Sequence, residues 1–151
     1  MREYKFRAWD NEANLMIYSD HRTRKLYDVY YGFEMDSKGE LKCKWEAEWE
    51  ESCPPDGGAF NNLMQYTGFK DDNGVEIYEG DIIHANDFYY DKYNRHVLDT
   101  LIIGQVAWDM DRYIVVMGET EWMLGELLLN DDEFKVIGNI YENPELLKEE
   151  L

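Results

Sequence analysis

Cysteine is almost missing from this chain of 151 residues: there are two, Cys43 and Cys53. Two are too few for a disulfide framework, and the pair lacks the CxxC spacing of a zinc site. Only three prolines occur, two of them adjacent at Pro54 and Pro55. The three histidines, His21, His84 and His96, stand at no HExxH or paired spacing. Apolar runs are short, the longest being stretches such as Tyr113 to Met117, far below the ~20 residues that a bilayer-spanning helix requires. No apolar leader follows Met1-Arg2-Glu3-Tyr4-Lys5, which runs straight into alternating sequence. These shortages argue against a secreted disulfide scaffold, a zinc module and a membrane-spanning protein. The expected location is a reducing cytoplasm.

Positive charge is the other shortage. Fifteen Lys and Arg oppose 33 Asp and Glu, a net charge of −18. Residues 1–31 hold six basic and five acidic residues, so positions 32–151 carry −19. Nucleic-acid binding rests on Lys and Arg displacing counterions, so direct DNA or RNA binding is disfavoured, and so is an anionic membrane surface. The single basic island, His21-Arg22-Thr23-Arg24-Lys25, reads as a solvated loop.

What the chain has in plenty is aromatic residues, twelve Tyr and five Trp within a 44% hydrophobic composition, which argues for a folded core. The length suits one domain able to bury roughly 70% of its unfolded surface. We therefore expect a single domain over 1–151, with a variable hairpin and loop region at about 21–58.

Period-2 alternation dominates. Leu41, Cys43, Trp45, Ala47 and Trp49 interleave with Lys42, Lys44, Glu46, Glu48 and Glu50, putting the apolar set on one face of a strand. Val29, Tyr31, Phe33 and Met35 alternate likewise, and Asp36-Ser37-Lys38-Gly39 joins the two as a hairpin turn. A helix over 44–51 is the alternative, because Trp45 and Trp49 are also four apart and Glu and Ala favour helices. Cys53 to Gly58 is a breaker cluster.

Beyond it, Leu63 to Phe69 and Val75 to Tyr78 flank Asp71-Asp72-Asn73-Gly74, where Asn-Gly would supply the positive φ of a tight hairpin. Gly80-Asp81 bends the chain into the short strand Ile82-Ile83. Leu101 to Trp108 and Tyr113 to Met117 form another hairpin about Asp109-Met110-Asp111-Arg112. Met123 to Leu129 is a short helix and Phe134 to Tyr141 a last strand. Asn143 before Pro144 predicts an N-cap opening a short C-terminal helix through Leu147. The fold class is mainly β, all-β or β-dominated α+β, with several short antiparallel hairpins in an SH3-like barrel or sandwich arrangement.

Two blocks are more specific than composition: Leu63 to Ile83, reading LMQYTGFKDDNGVEIYEGDII, and Val136 to Leu147, reading VIGNIYENPELL. Together with Lys5-Phe6-Arg7-Ala8-Trp9-Asp10, the following Met16, and Gly104-Gln105-Val106-Ala107-Trp108-Asp109, they resemble the YopX family of phage and prophage proteins. The blocks lie in the family's order and run nearly end to end, with a departure at about His21 to Gly58. The resemblance implies a mainly β protein encoded by a phage or prophage in a bacterial host of Gram-positive type. It brings no catalytic residues to carry over.

The residues themselves offer no catalytic constellation. Asp109-Met110-Asp111 mimics a DxD metal motif, but a polar turn uses Asp for ordinary hydrogen bonding. Asp71 and Asn73 open like a calcium loop whose sixth-position Gly and twelfth-position Glu are missing. Cys43 lies on the apolar side of its strand and reads as a small hydrophobe. Gly68, Gly74, Gly80 and Gly138 form neither GxGxxG nor a P-loop. No catalytic residue, metal ligand or cofactor is expected.

The aromatic surplus makes a protein-recognition surface the leading expectation, with Tyr66, Tyr78, Trp108 and Trp122 as its candidates. On this reading the chain is a non-enzymatic accessory protein that binds an unidentified host or phage protein, and exposed strand edges make a homo-oligomer a side expectation. One alternative is an acidic nucleic-acid mimic that occupies a host DNA- or RNA-binding protein. Another is a metal-assisted hydrolase built on carboxylates and one histidine.

Overall fold

The computed structural model describes residues 3–11, 14–20, 25–26, 29–47, 58–60, 62–90, 92–130 and 133–148. The chain divides into two compact units, Met1–Tyr66 and Thr67–Leu151.

In the first unit, β1 (Phe6–Asp10) and β2 (Leu15–Tyr18) form an antiparallel hairpin. A second sheet runs in the order β3 (Lys25–Leu26), β4 (Val29–Met35), β5 (Leu41–Ala47) and β6 (Gly58–Phe60). The choice between strand and helix resolves to strand over Leu41–Ala47, which pairs with β4 from Met35↔Leu41 to Val29↔Ala47. The rest of the segment in question, 48–51, lies outside the described residues, as do Cys53, most of the breaker cluster and positions 21–24 of the basic island. The strand β7 (Leu63–Lys70) begins in this unit, and its first residues pair with Phe6 to Ala8 of β1.

Ala8, Ile17 and Cys43 close the first unit's core, with Leu15, Phe33 and Leu63 packed against them. Burial, and secondarily the charge of Asp10, pushes the Cys43 thiol up to about 12. At neutral pH it is a protonated hydrophobe, and thiolate is the reactive form. In a Cys53→Ser background, Cys43 should therefore react with a disulfide reagent at pH 8 only as fast as the protein opens; rapid labelling of the folded protein would contradict this.

The second unit takes the remainder of β7 with β8 (Glu76–Tyr78), then β9 (Asp81–Tyr90), β10 (His96–Asp109), β11 (Arg112–Met117), β12 (Thr120–Met123), α1 (Leu124–Asn130) and β13 (Lys135–Asn139). Five of these form one antiparallel sheet in the order β12-β11-β10-β9-β13. The sheet curls into a half-barrel, and the Nε1–H of Trp122 on β12 reaches Asp87 Oδ2 on β9 at 2.9 Å although two strands separate them in the sheet order. Ile77, Ile83, Ala85, Ile102, Val106, Val115, Leu124 and Phe134 fill the core.

The strand order explains the length of β10. Its first part pairs with β9 and its second part with β11, so one strand carries two ladders that meet at Gln105. The expected C-terminal helix is a single 3-10 turn, Pro144–Leu147. Asn143 does not cap it with its side chain; its Oδ1 instead accepts from the Asn139 N–H at 3.4 Å, beside Gly138. Proline's fixed φ starts the turn, but the cap that would favour a longer helix is engaged elsewhere.

Candidate functional site

Two hairpins are closed by the same local chemistry. In β4–β5, Asp36 Oδ1 accepts from the N–H groups of Lys38 and Glu40, and Gly39 takes φ +80. In β7–β8, Asp71 Oδ1 accepts from Asn73 and Val75, and Gly74 takes φ +80. Both obey an Asp-x-x-Gly pattern in which Asp folds the turn and Gly supplies the left-handed residue. The positive φ thus falls on Gly74, without the Asn-Gly pair predicted for a two-residue turn.

The carboxylates differ in their second oxygen. Asp36 Oδ2 meets Lys42 Nζ at 2.8 Å near the surface, whereas buried Asp71 accepts from the Val136 N–H of β13 at 3.0 Å. The Lys42 hydrogen bond holds Asp36 below its ordinary 3.8, and Asp36 raises Lys42 above 10.5. A lowered carboxylate pKa stabilises above its unfolded value and a raised lysine pKa below its own, so the pair contributes fully between 3.8 and 10.5. The Lys38 and Glu40 amide resonances should therefore shift as pH falls below 3.8, and Asp36→Asn should abolish that transition.

The β10–β11 hairpin is built differently. Its turn places Met110 at φ +52, with the Asp111 N–H donating to the Asp109 carbonyl at 2.6 Å. Only two other described non-glycine residues, Asn14 and Asn94, have positive φ, and Asn tolerates that region where Met does not. This is a tight three-residue turn, strained for a side chain of this kind. Met110 is 91% exposed.

Around it, Trp108 stands 49% exposed on one face, edge-on to Tyr113 with ring centroids 4.8 Å apart. Met123 lies on the other face, where its Sδ accepts from Arg112 Nη1 at 3.2 Å. The Arg112 Nε–H meets Asp111 Oδ1 at 2.9 Å, so the guanidinium is held by its neighbour. Asp109 and Asp111 in the turn are exposed, as is Glu121 on β12, whose charge acts on Arg112. The hairpin end is an apolar wedge with an acidic collar.

The four candidate aromatics differ in exposure. Tyr66 and Tyr78 are 5% and 2% exposed and serve packing. Trp122 is half-buried and spends its N–H on Asp87. Trp108 alone of the four offers a broad exposed face, and the alternation in the sequence missed its two methionine neighbours. Among the described residues no three of His, Cys, Asp and Glu form a metal-holding group. No helix among them is long and apolar enough to cross a membrane.

Compared with known families, residues 5–148 match the family described as YopX protein. The chain belongs to the YopX family. A search of curated proteins finds no match. Among solved structures, the chain is similar to the crystal structure of protein EF1440 from Enterococcus faecalis, at 25% identity, covering 97% of this chain and 99% of that one with a TM-score of 0.49.

In this YopX chain, the blocks that carry the family resemblance turn out to be fasteners. Asp71 binds Val136, the Tyr78 N–H donates to buried Asp81 at 2.7 Å, and the Gly80 carbonyl accepts from Ile140. Asn139 Oδ1 accepts from the N–H groups of Tyr141 and Glu142. These contacts fasten the second unit. The turn at Met110 is the exception, since nothing in the local hydrogen bonding requires a methionine there.

Proposed function

We propose that this YopX protein is a non-enzymatic phage or prophage accessory protein of the bacterial cytoplasm that binds another protein through the tip of the β10–β11 hairpin. The observation carrying this reading is Met110, apolar, 91% exposed and held in a left-handed conformation that glycine would adopt without strain. At the chain's other described turns positive φ falls on glycine, among them Gly39, Gly74 and Gly118, or on Asn14 and Asn94, so a strained methionine needs a reason other than folding. Exposed Trp and Met are also side chains typical of the centre of a protein interface.

The nucleic-acid mimic rests on the charge of positions 32–151 alone, so it ranks second. Self-association through a strand edge would bring two copies of charge −18 together, which disfavours it at low salt. The test is photo-crosslinking in host cells with a benzophenone amino acid at position 110, compared with position 129, another exposed apolar site. A discrete protein adduct at 110 and none at 129 is expected. Equal labelling at both, or none, would overturn the reading.

A further inference from the structure

Resting on that reading and deepening it, we propose that the hairpin tip takes a protein segment that is at once cationic and apolar. Three exposed carboxylates, Asp109, Asp111 and Glu121, stand about one guanidinium, that of Arg112, which is bound to Asp111 at 2.9 Å. Exposed apolar side chains lie beside them: Met110 at the end of the hairpin, Trp108 on one face and Met123 on the other. A purely apolar partner would strip water from the collar without compensation, and buried uncompensated charge is costly. A purely cationic partner would leave the Trp and Met faces in water. A segment presenting Lys or Arg around a central Leu or aromatic residue satisfies both demands, and at −18 the protein also attracts such a segment from a distance.

The Met110 turn adds a mechanical element. Its tight turn keeps the methionine at the extreme end of the hairpin, between the Trp108 face and the Met123 face, where an unbranched thioether can adapt to an irregular groove. Holding that side chain in place before binding saves ordering entropy at the interface.

The probe is a panel of fifteen-residue synthetic peptides in which net charge (positive, zero, negative) and the central residue (Leu, Trp or Ser) vary independently, titrated by calorimetry against the full chain. Peptides that are both positive and apolar at the centre should bind. Met110→Gly, which relieves the turn and leaves the fold intact, should weaken that binding about tenfold while Tm stays level or rises. Asp109→Asn combined with Glu121→Gln should weaken it at low salt, whereas Glu145→Gln on the 3-10 turn should not. Serine-centred cationic peptides binding as tightly as the others would overturn the proposal, because charge alone would then suffice. Neutral apolar peptides binding equally well would overturn it too, yet would leave protein binding at the tip standing. If no peptide binds, this inference falls, and the crosslinking at position 110 separately decides the broader reading.

Discussion

Replacing Gly104 by alanine should cost the second unit about 3 kcal/mol, the upper end of the usual range for forced overpacking. A Cβ at this position would sit 2.7 Å from Val115 Cγ1 and 2.8 Å from the Val116 carbonyl oxygen. The first contact is a stiff β-branched side chain and the second is backbone, so neither can yield without moving β11. The residue lies one position before Gln105, where β10 carries both of its ladders, so a shift there loosens the β9 and β11 pairings together. Thermal unfolding followed by circular dichroism should show a fall of roughly 10 °C. Gly32→Ala is the control, since that glycine lies on a strand with nothing within 4 Å of its added carbon. It should be neutral or slightly stabilising; an equal loss at both positions would refute the steric account.

Asp71→Ala should be nearly as damaging, at about 3 kcal/mol, because hydrogen bonds to a charged acceptor are the strong ones and unmade bonds at buried groups carry a further penalty. The substitution releases the N–H groups of Asn73, Val75 and Val136 together. Asp71→Asn separates the contributions. Its amide oxygen can still fold the turn, but an NH2 then faces the Val136 N–H, so an intermediate loss is expected. Hydrogen exchange at Val136 should accelerate in both variants and urea midpoints should rank wild type, Asn, Ala. Unchanged exchange at Val136 would show that the carboxylate does not fasten β13. Asp36→Ala, at the equivalent turn near the surface, should cost less, because water can replace what it loses.

Much of the second unit was legible because turn chemistry is local. Asp71 to Gly74 and Gly80-Asp81 were readable from the dipeptides that force a reversal and the hairpin about Met110 from its polar stretch, and the short helix expected over Met123 to Leu129 is found at Leu124–Asn130. The long β9–β10 ladder was not. Residues 84–100 show no regular apolar period in the sequence, and the ladder pairs Asp87 with Thr100 and Asn86 with Leu101. Pairing of that kind leaves no period in the sequence. The short strands β3, β6 and β12 were equally silent for want of length.

The candidate site divided along the same line. Trp108 could be nominated from the sequence, but Tyr66 and Tyr78 share its chemistry and differ only in burial, which depends on the tertiary fold. Met110 was read as part of a polar turn, because a left-handed φ on a non-glycine residue has no signature in composition. Met123, placed at the start of a helix, instead ends an edge strand and joins the tip through Arg112.

The Asp71–Val136 bond spans 65 positions, and β13 is also the strand that closes the outer edge of β9. A ribosome adding about 5–20 residues per second delivers Val136 roughly 3–13 s after Asp71. From the completion of β9 at Tyr90 until β13 arrives, the nascent chain carries a β9 edge with no neighbour on one side, a template for pairing with other chains. Synthesis of this protein therefore has a vulnerable window whose length is set by translation speed, and premature termination between β9 and β13 leaves it permanently open.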